Sequence, residues 1–125
     1  MKKTLIGSLM LAGLGLATSA QAHHSFAGYD MTKNIEFVGT VQEIKFRNPH
    51  IEMTLKRMTP DGKEEIIHFV EGAPANMLVR LGLEPSMVTP GSKIKAIGSP
   101  RKERPDEYFL KTIVLEDGRE FQSLK

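Results

Sequence analysis

The apolar and polar positions of the chain alternate over most of its length, as expected for a protein built from β-strands. Ile51, Met53 and Leu55 fall on one parity with polar side chains between them, which is typical of a half-buried strand. Residues 34–47 alternate less regularly and predict one long strand that is bent or bulged at Gly39. The strands predicted in this way span residues 34–47, 50–58, 63–71, 93–98, 108–116 and 119–123.

One segment between the third and fourth predicted strands has helical rather than alternating spacing. Its apolar residues Met77, Leu78 and Leu81 recur at intervals of a helical turn. Pro74 is suited to the first turn of a helix, and Gly82 is suited to the end of one. We therefore expect a short helix at this point in the chain.

The order of the elements predicts the fold class. Three strands, a short helix and two further strands follow one another in the OB fold. We therefore expect a mainly β protein in which residues 34–125 form a small OB-like five-stranded β-barrel with a C-terminal hairpin extension. Asp117-Gly118 suits the tight turn of that hairpin. A simple meander with a lid helix is the alternative topology.

Residues 1–22 have the features of a secretory signal peptide. A positively charged start is followed by an apolar run broken by glycines and then by the small-residue triplet Ala20-Gln21-Ala22. The run is short for a bilayer span of roughly 20 apolar residues, so we expect cleavage after Ala22 and no stable membrane anchor. The predicted location is the periplasm, and residues 23–33 form an N-terminal arm before the barrel.

The charge balance and the lack of cysteine narrow the function classes. The chain has 17 basic and 15 acidic residues, and removal of Lys2 and Lys3 with the leader would make the two numbers equal. A balanced charge argues against a nucleic-acid partner, which favours a basic surface. The absence of cysteine excludes disulfides, thiolate metal sites and a lipid-anchored cysteine.

Several motifs together resemble an uncharacterised family of small secreted proteins from Gram-negative bacteria, a domain of unknown function. Members of that family commonly begin the mature chain with His-His-Ser-Phe and carry Asn-Pro-His after the first strand. The element order is also similar, more loosely, to that of periplasmic bacterial OB-fold proteins. The resemblance implies an exported protein and no particular activity. The segments that carry it are AHHSF at 22–26, NPH at 48–50, FVEGAPANMLVRLG at 69–82, PGSKIKAIGSP at 90–100 and LEDGREF at 115–121.

The histidines suggest a metal site. Cleavage after Ala22 would leave His23 with a free α-amine beside its imidazole, and these two nitrogens can chelate one metal ion. A third nitrogen could come from His24, His50 or His68. A nitrogen-rich tetragonal site of this kind suits Cu(II). Cleavage two residues earlier would place His23 third in the chain, where backbone amides can also help to hold Cu(II).

Each histidine also has a structural interpretation. The pair His23 and His24 can be an ordinary polar segment after a cleavage site, with no ligand. His50 follows a proline corner, where the side chain of Asn48 can cap a turn. His68 is a hydrogen-bonded barrel residue if its parity faces the core.

Other candidate residues have simpler roles. Met53 and Met77 fall on apolar faces and are predicted to fill the core. Phe26 and Tyr29 are suited to fixing the arm against the barrel. No nucleophile elbow, zinc-protease helix or phosphate-binding loop is present, so we expect a binding protein and not an enzyme.

Two functions are therefore predicted. The first is a periplasmic single-domain protein that binds copper through His23 and His24 for sequestration or hand-off. The alternative is a metal-independent OB-like module of the cell envelope. In that case the barrel surface around Asn48, His50 and the loop 99–107 would hold a protein or small-molecule partner.

Overall fold

The computed structural model describes residues 26–124, which form a six-stranded sheet with a short helix. The strands are β1 (Ile35–Lys45), β2 (Glu52–Met58), β3 (Glu64–Glu71), β4 (Lys93–Pro100), β5 (Glu107–Leu115) and β6 (Glu120–Gln122). The helix α1 (Ala75–Arg80) and a 3₁₀ helix (Pro85–Val88) lie between β3 and β4. The six strands and α1 lie where alternation and helical spacing predicted them, with ends displaced by a few residues. The 3₁₀ helix was not predicted.

The sheet closes into a barrel because β3 pairs with two strands. In the order β3-β2-β1-β4-β5, neighbouring strands are antiparallel. A parallel pairing of β3 with β5 joins the two ends, with His68 opposite Glu107 and Phe69 opposite Tyr108. The protein is thus mainly β, with a closed OB-like barrel of five strands, and the alternative meander is wrong. The predicted C-terminal extension is β6, which pairs antiparallel with β5.

Strand alternation supplies the barrel interior. Phe37 and Val41 from β1, Leu55 from β2, Phe69 from β3 and Ile113 from β5 are all buried within one apolar cluster. Each such side chain contributes roughly 25 cal/mol per Å² of apolar surface removed from water. In a chain without cysteine, this burial and the sheet hydrogen bonds hold the fold together.

Helix α1 packs on the barrel through Leu78 and ends at a glycine. Gly82 has φ of +97°, a left-handed conformation that favours glycine. This turn lets the backbone N–H of Leu83 donate to the carbonyl of Leu78 at 2.9 Å, and Leu83 is fully buried. The predicted helix stop is confirmed. Within residues 26–124, no helix has the length and apolar character needed to cross a bilayer.

The irregularity in β1 lies two or three residues beyond the predicted position. Gly39 keeps a regular pairing with Ile94 of β4, whereas the register with β2 shifts between Val41 and Glu43. The predicted bulge at Gly39 is therefore wrong. Gly39 instead allows a close approach between strands, because a Cβ atom there would collide with the carbonyl oxygen of Lys56.

The predicted exposed loop 99–107 is shorter than expected at both ends. Ser99 and Pro100 are buried and belong to β4, and β5 begins at Glu107. The Ser99 hydroxyl donates a 2.7 Å hydrogen bond to the carbonyl of Lys33, which explains why a polar residue is tolerated inside. The exposed loop comprises residues 101–106.

Candidate functional site

The arm before β1 is anchored to the barrel by aromatic contacts. The rings of Phe26 and Tyr29 meet the ring of Phe109 edge to face, with centroids 5.4 and 5.5 Å away. The Tyr29 hydroxyl also donates a 3.0 Å hydrogen bond to Glu71 Oε2 at the end of β3. The prediction that Phe26 and Tyr29 fix the arm is confirmed.

Backbone hydrogen bonds continue this attachment along β4. The N–H of Asp30 donates to the carbonyl of Pro100 at 2.9 Å, and the N–H of Lys102 donates to the carbonyl of Gly28 at 2.9 Å. On β5, the Lys111 ammonium donates to the carbonyl of Met31 at 2.7 Å. The described part of the arm therefore lies along the barrel wall with a fixed path.

A cleft of about 470 Å³ lies between the arm, the loop after β1 and the start of α1. We call it the arm cleft and define it by the lining residues Phe26, Pro49, His50, Glu71, Met77 and Phe109. Its lining is mostly apolar, with a few polar groups that converge on it. Clefts of this size and composition are typical of ligand-binding sites.

The loop that carries His50 is attached to the start of α1. Asn48 Oδ1 accepts a 3.1 Å hydrogen bond from the N–H of Asn76, near the first turn of the helix. The residue that formally caps α1 is Pro74, whose side chain offers no acceptor, so Asn48 supplies one from outside the helix. On the other side of His50, the N–H of Ile51 donates to the carbonyl of Ala73 at 2.9 Å. The Asn48 side chain thus caps the start of α1 and not a local turn as predicted, and hydrogen bonds hold the chain on both sides of His50.

His50 has an unsatisfied ring nitrogen. Its Nδ1 atom is buried and has no hydrogen-bond partner in the described part of the chain. A buried polar atom without a partner costs on the order of 1–3 kcal/mol, so such atoms usually mark a bound water, ion or functional role. A neutral imidazole nitrogen is also a common metal ligand. Because His50 also lines the arm cleft, its ring is a candidate ligand there.

His68 lies elsewhere, on the outer surface of β3. Its side chain is exposed beside Thr54 of β2, in a second cleft of about 220 Å³ that also includes Glu43 and the 3.2 Å ion pair of Lys45 with Glu52. The parity of His68 therefore points away from the core, so the condition for its interpretation as an interior barrel residue is not met. His50 and His68 line different clefts.

The histidines and acidic residues of the described part of the chain do not form a metal site by themselves. Across residues 26–124, no three side chains of His, Asp or Glu are grouped so that they could hold a metal ion. His23 and His24, like the predicted signal peptide 1–22, lie outside the described residues, and their roles remain predictions. Any site in the arm cleft needs ligands in addition to His50.

The surroundings of Tyr29 favour the protonated form of its hydroxyl. Burial and then the negative charge of Glu71 raise the pKa of Tyr29 well above its usual value near 10. The hydroxyl therefore keeps its proton to a higher pH than an ordinary tyrosine does, and it stays the donor of the hydrogen bond to Glu71.

Sequence comparison identifies the family. The chain matches a family of unknown function, DUF6152, over residues 12–107. The chain belongs to this family. The matched region of the DUF6152 chain includes the arm, His50 and Met77, and it ends two residues before Phe109. No curated protein and no solved structure gives a significant match to the chain.

Sequence reasoning missed three residues of the arm cleft. Glu71 and Phe109 were not assigned to any site, and Met77 was predicted only to fill the core. Phe109 follows a tyrosine in an alternating strand, and nothing local indicates that its ring meets two aromatic rings of the arm. Met53 is a core residue as predicted, whereas Met77 is half-buried and lines the cleft.

Proposed function

We propose that this DUF6152 protein is exported to the periplasm and binds copper there through His23, His24 and His50. The observation that supports the proposal is that Phe26 and His50 line the same cleft. A mature chain that begins at His23 would start three residues before Phe26, and His50 in the same cleft has an Nδ1 atom without a protein partner within residues 26–124.

Chain length limits where the N-terminal histidines can be. A residue spans at most about 3.6 Å of extended chain, so His23 lies no further than about 11 Å from Phe26. The Phe26 ring is held against Phe109 at the wall of the cleft. A protein that starts at His23 therefore carries its α-amine within reach of the arm cleft.

The ligand chemistry favours Cu(II). The amine and the Nδ1 atom of His23 close one chelate ring, and the imidazole of His50 or His24 adds a third nitrogen. Three nitrogen ligands suit tetragonal Cu(II), which binds such sites more tightly than the other common divalent ions do. Binding requires the amine and the imidazoles to be deprotonated, so affinity is expected to fall as the pH falls. Sequestration or hand-off of the ion is the proposed role, and no catalytic turnover is proposed.

The experiment compares two N-termini. Cu(II) is titrated into protein that begins at His23 and into the same protein with its α-amine acetylated, because acetylation turns the amine into an amide without supplying another amine. We expect acetylation to weaken binding at least tenfold, and we expect His50→Ala to weaken it as well. His68→Ala is the matched control, since His68 lines the other cleft. Equal affinity of the two N-termini would contradict the proposal.

A second candidate function is favoured by the apolar lining of the arm cleft. Phe26, Pro49, Met77 and Phe109 give it the character of a pocket for an apolar small molecule or peptide side chain. If the cleft binds such a ligand, replacing both His23 and His24 by alanine should leave ligand binding intact, whereas Met77→Lys should abolish it. The copper titration and this pair of variants separate the two functions.

A further inference from the structure

Met77 is placed to act as a sulfur ligand beside His50. Both residues line the arm cleft, and Met77 is half-buried at its edge while its helix packs on the core. Met53 and His68 also share a cleft, but Met53 lies on the core parity of β2, whereas His68 pairs with the outward residue Thr54. Met53 is only 2% exposed, so Met77 with His50 is the more accessible of these two methionine–histidine pairs.

The backbone holds this pair in place. The hydrogen bond from the N–H of Asn76 to Asn48 Oδ1 joins the residue before Met77 to the residue two positions before His50. The N–H of Ile51 is bonded to Ala73 at 2.9 Å, which fixes the far side of the His50 loop on the same helix start. Ligands carried by mutually bonded elements lose little conformational freedom when they bind an ion.

The chemistry of the pair selects a soft ion. Thioether sulfur favours Cu(I), and neutral imidazole also binds copper. A monovalent ion with few ligands has less charge to desolvate than a divalent one, so it suits a cleft whose lining is mostly apolar. We propose that His50 and Met77 form a Cu(I) site in the arm cleft. This inference relies on the proposed function only for the choice of copper.

The consequence is a cleft with two overlapping ligand sets. Cu(II) needs the free amine and imidazole of His23, whereas Cu(I) needs His50 and the Met77 sulfur and does not need the amine. Each ion is accepted in the oxidation state in which it arrives, and no electron transfer is assigned to the protein. The ligand of the protein would then be copper, either as Cu(I) or as Cu(II).

The test measures Cu(I) affinity by anaerobic competition with bicinchoninate, using protein that begins at His23. Met77→Leu keeps the side-chain volume and removes the sulfur. We expect it to weaken Cu(I) at least tenfold and to leave Cu(II) affinity within about twofold. Met87→Leu is the matched control, because Met87 is also half-buried but lines a different cleft. X-ray absorption of the Cu(I) protein should show sulfur in the first coordination sphere, and Met77→Leu should remove it.

The outcomes separate this inference from the proposed function. Acetylation of the His23 α-amine should weaken Cu(II) binding and leave Cu(I) affinity unchanged. If Met77→Leu has no effect on Cu(I) affinity or on the sulfur signal, the inference is overturned whatever Cu(II) does. If instead acetylation of the His23 amine leaves Cu(II) affinity unchanged while Met77→Leu weakens Cu(I), the proposed function fails and the Cu(I) site stands. Failure of the wild type to compete for Cu(I) at all also overturns the inference.

Discussion

The hydroxyl of Tyr29 donates a 3.0 Å hydrogen bond to Glu71, a residue 42 positions further along the chain. Tyr29 is only 6% exposed, and Glu71 is the last residue of β3. The bond therefore joins the arm to the barrel at the point where the arm cleft opens. It explains how a segment that contributes no strand of its own keeps a fixed position.

Removing the Tyr29 hydroxyl should weaken the fold. Tyr29→Phe keeps the ring contact with Phe109 but leaves Glu71 without this donor, so we expect a loss of about 1 kcal/mol in the free energy of unfolding. Urea denaturation at neutral pH measures it. Tyr108→Phe is the control, because within residues 26–124 the Tyr108 hydroxyl has no hydrogen-bond partner. Equal losses for the two variants would show that the bond to Glu71 contributes nothing.

The Tyr29 hydroxyl should make the free energy of unfolding depend on pH in the alkaline range. Burial and the charge of Glu71 raise the pKa of Tyr29 in the folded protein, whereas the unfolded chain titrates near 10. Above about pH 10 the unfolded state therefore loses a proton that the folded state keeps, and the contribution of Tyr29 falls. The stability difference between wild type and Tyr29→Phe should be constant below that pH and shrink above it. Urea midpoints between about pH 8 and 11 test this, and a constant difference over the whole range would contradict it.

The barrel could be predicted from the sequence because its signals are local. Alternation in β2 and helical spacing before Gly82 each depend on a few neighbouring residues. The role of Gly39 could not be predicted in the same way. A glycine within a strand marks either a bulge or a close approach, and the atom that decides between them, the carbonyl oxygen of Lys56, belongs to another strand.

The candidate site was only partly predictable for a similar reason. Phe26 and Tyr29 could be recognised as anchors because large aromatic side chains in a polar arm need a surface to contact. Their partner Phe109 and the cleft residue Met77 come from distant parts of the chain, and only the fold brings them together. The orientation of His68 could not be predicted because both faces of its strand carry apolar side chains. The residues on the same face as His68 are only half-buried, whereas Ile67 and Phe69 on the other face are buried in the core.

Gly39 should be intolerant of any side chain. In Gly39→Ala the new Cβ atom would overlap the carbonyl of Lys56, and backbone oxygen in a paired strand cannot move aside cheaply. We expect a loss of about 2 kcal/mol or more in the free energy of unfolding. Gly28→Ala is the control, since nothing lies within 4 Å of a Cβ atom built there. The thermal unfolding midpoint of Gly39→Ala should therefore lie clearly below that of Gly28→Ala. Similar midpoints would mean that β1 and β2 can move apart at this position without loss of stability.

The contact of Phe26 with Phe109 should control copper affinity more than it controls stability. Phe26→Ala removes the ring that holds the start of the described arm, while the bond from Tyr29 to Glu71 remains. The segment before Tyr29 then has to be ordered when the metal binds, which costs about 0.5–1.5 kcal/mol per side chain, or roughly two- to twelvefold in affinity. Cu(II) titration of protein that begins at His23 measures the change, and Phe26→Leu, which keeps an apolar contact, should lose less. If Phe26→Ala binds Cu(II) as tightly as the wild type does, the N-terminal histidines hold the ion without the arm cleft, and His50 is not one of its ligands.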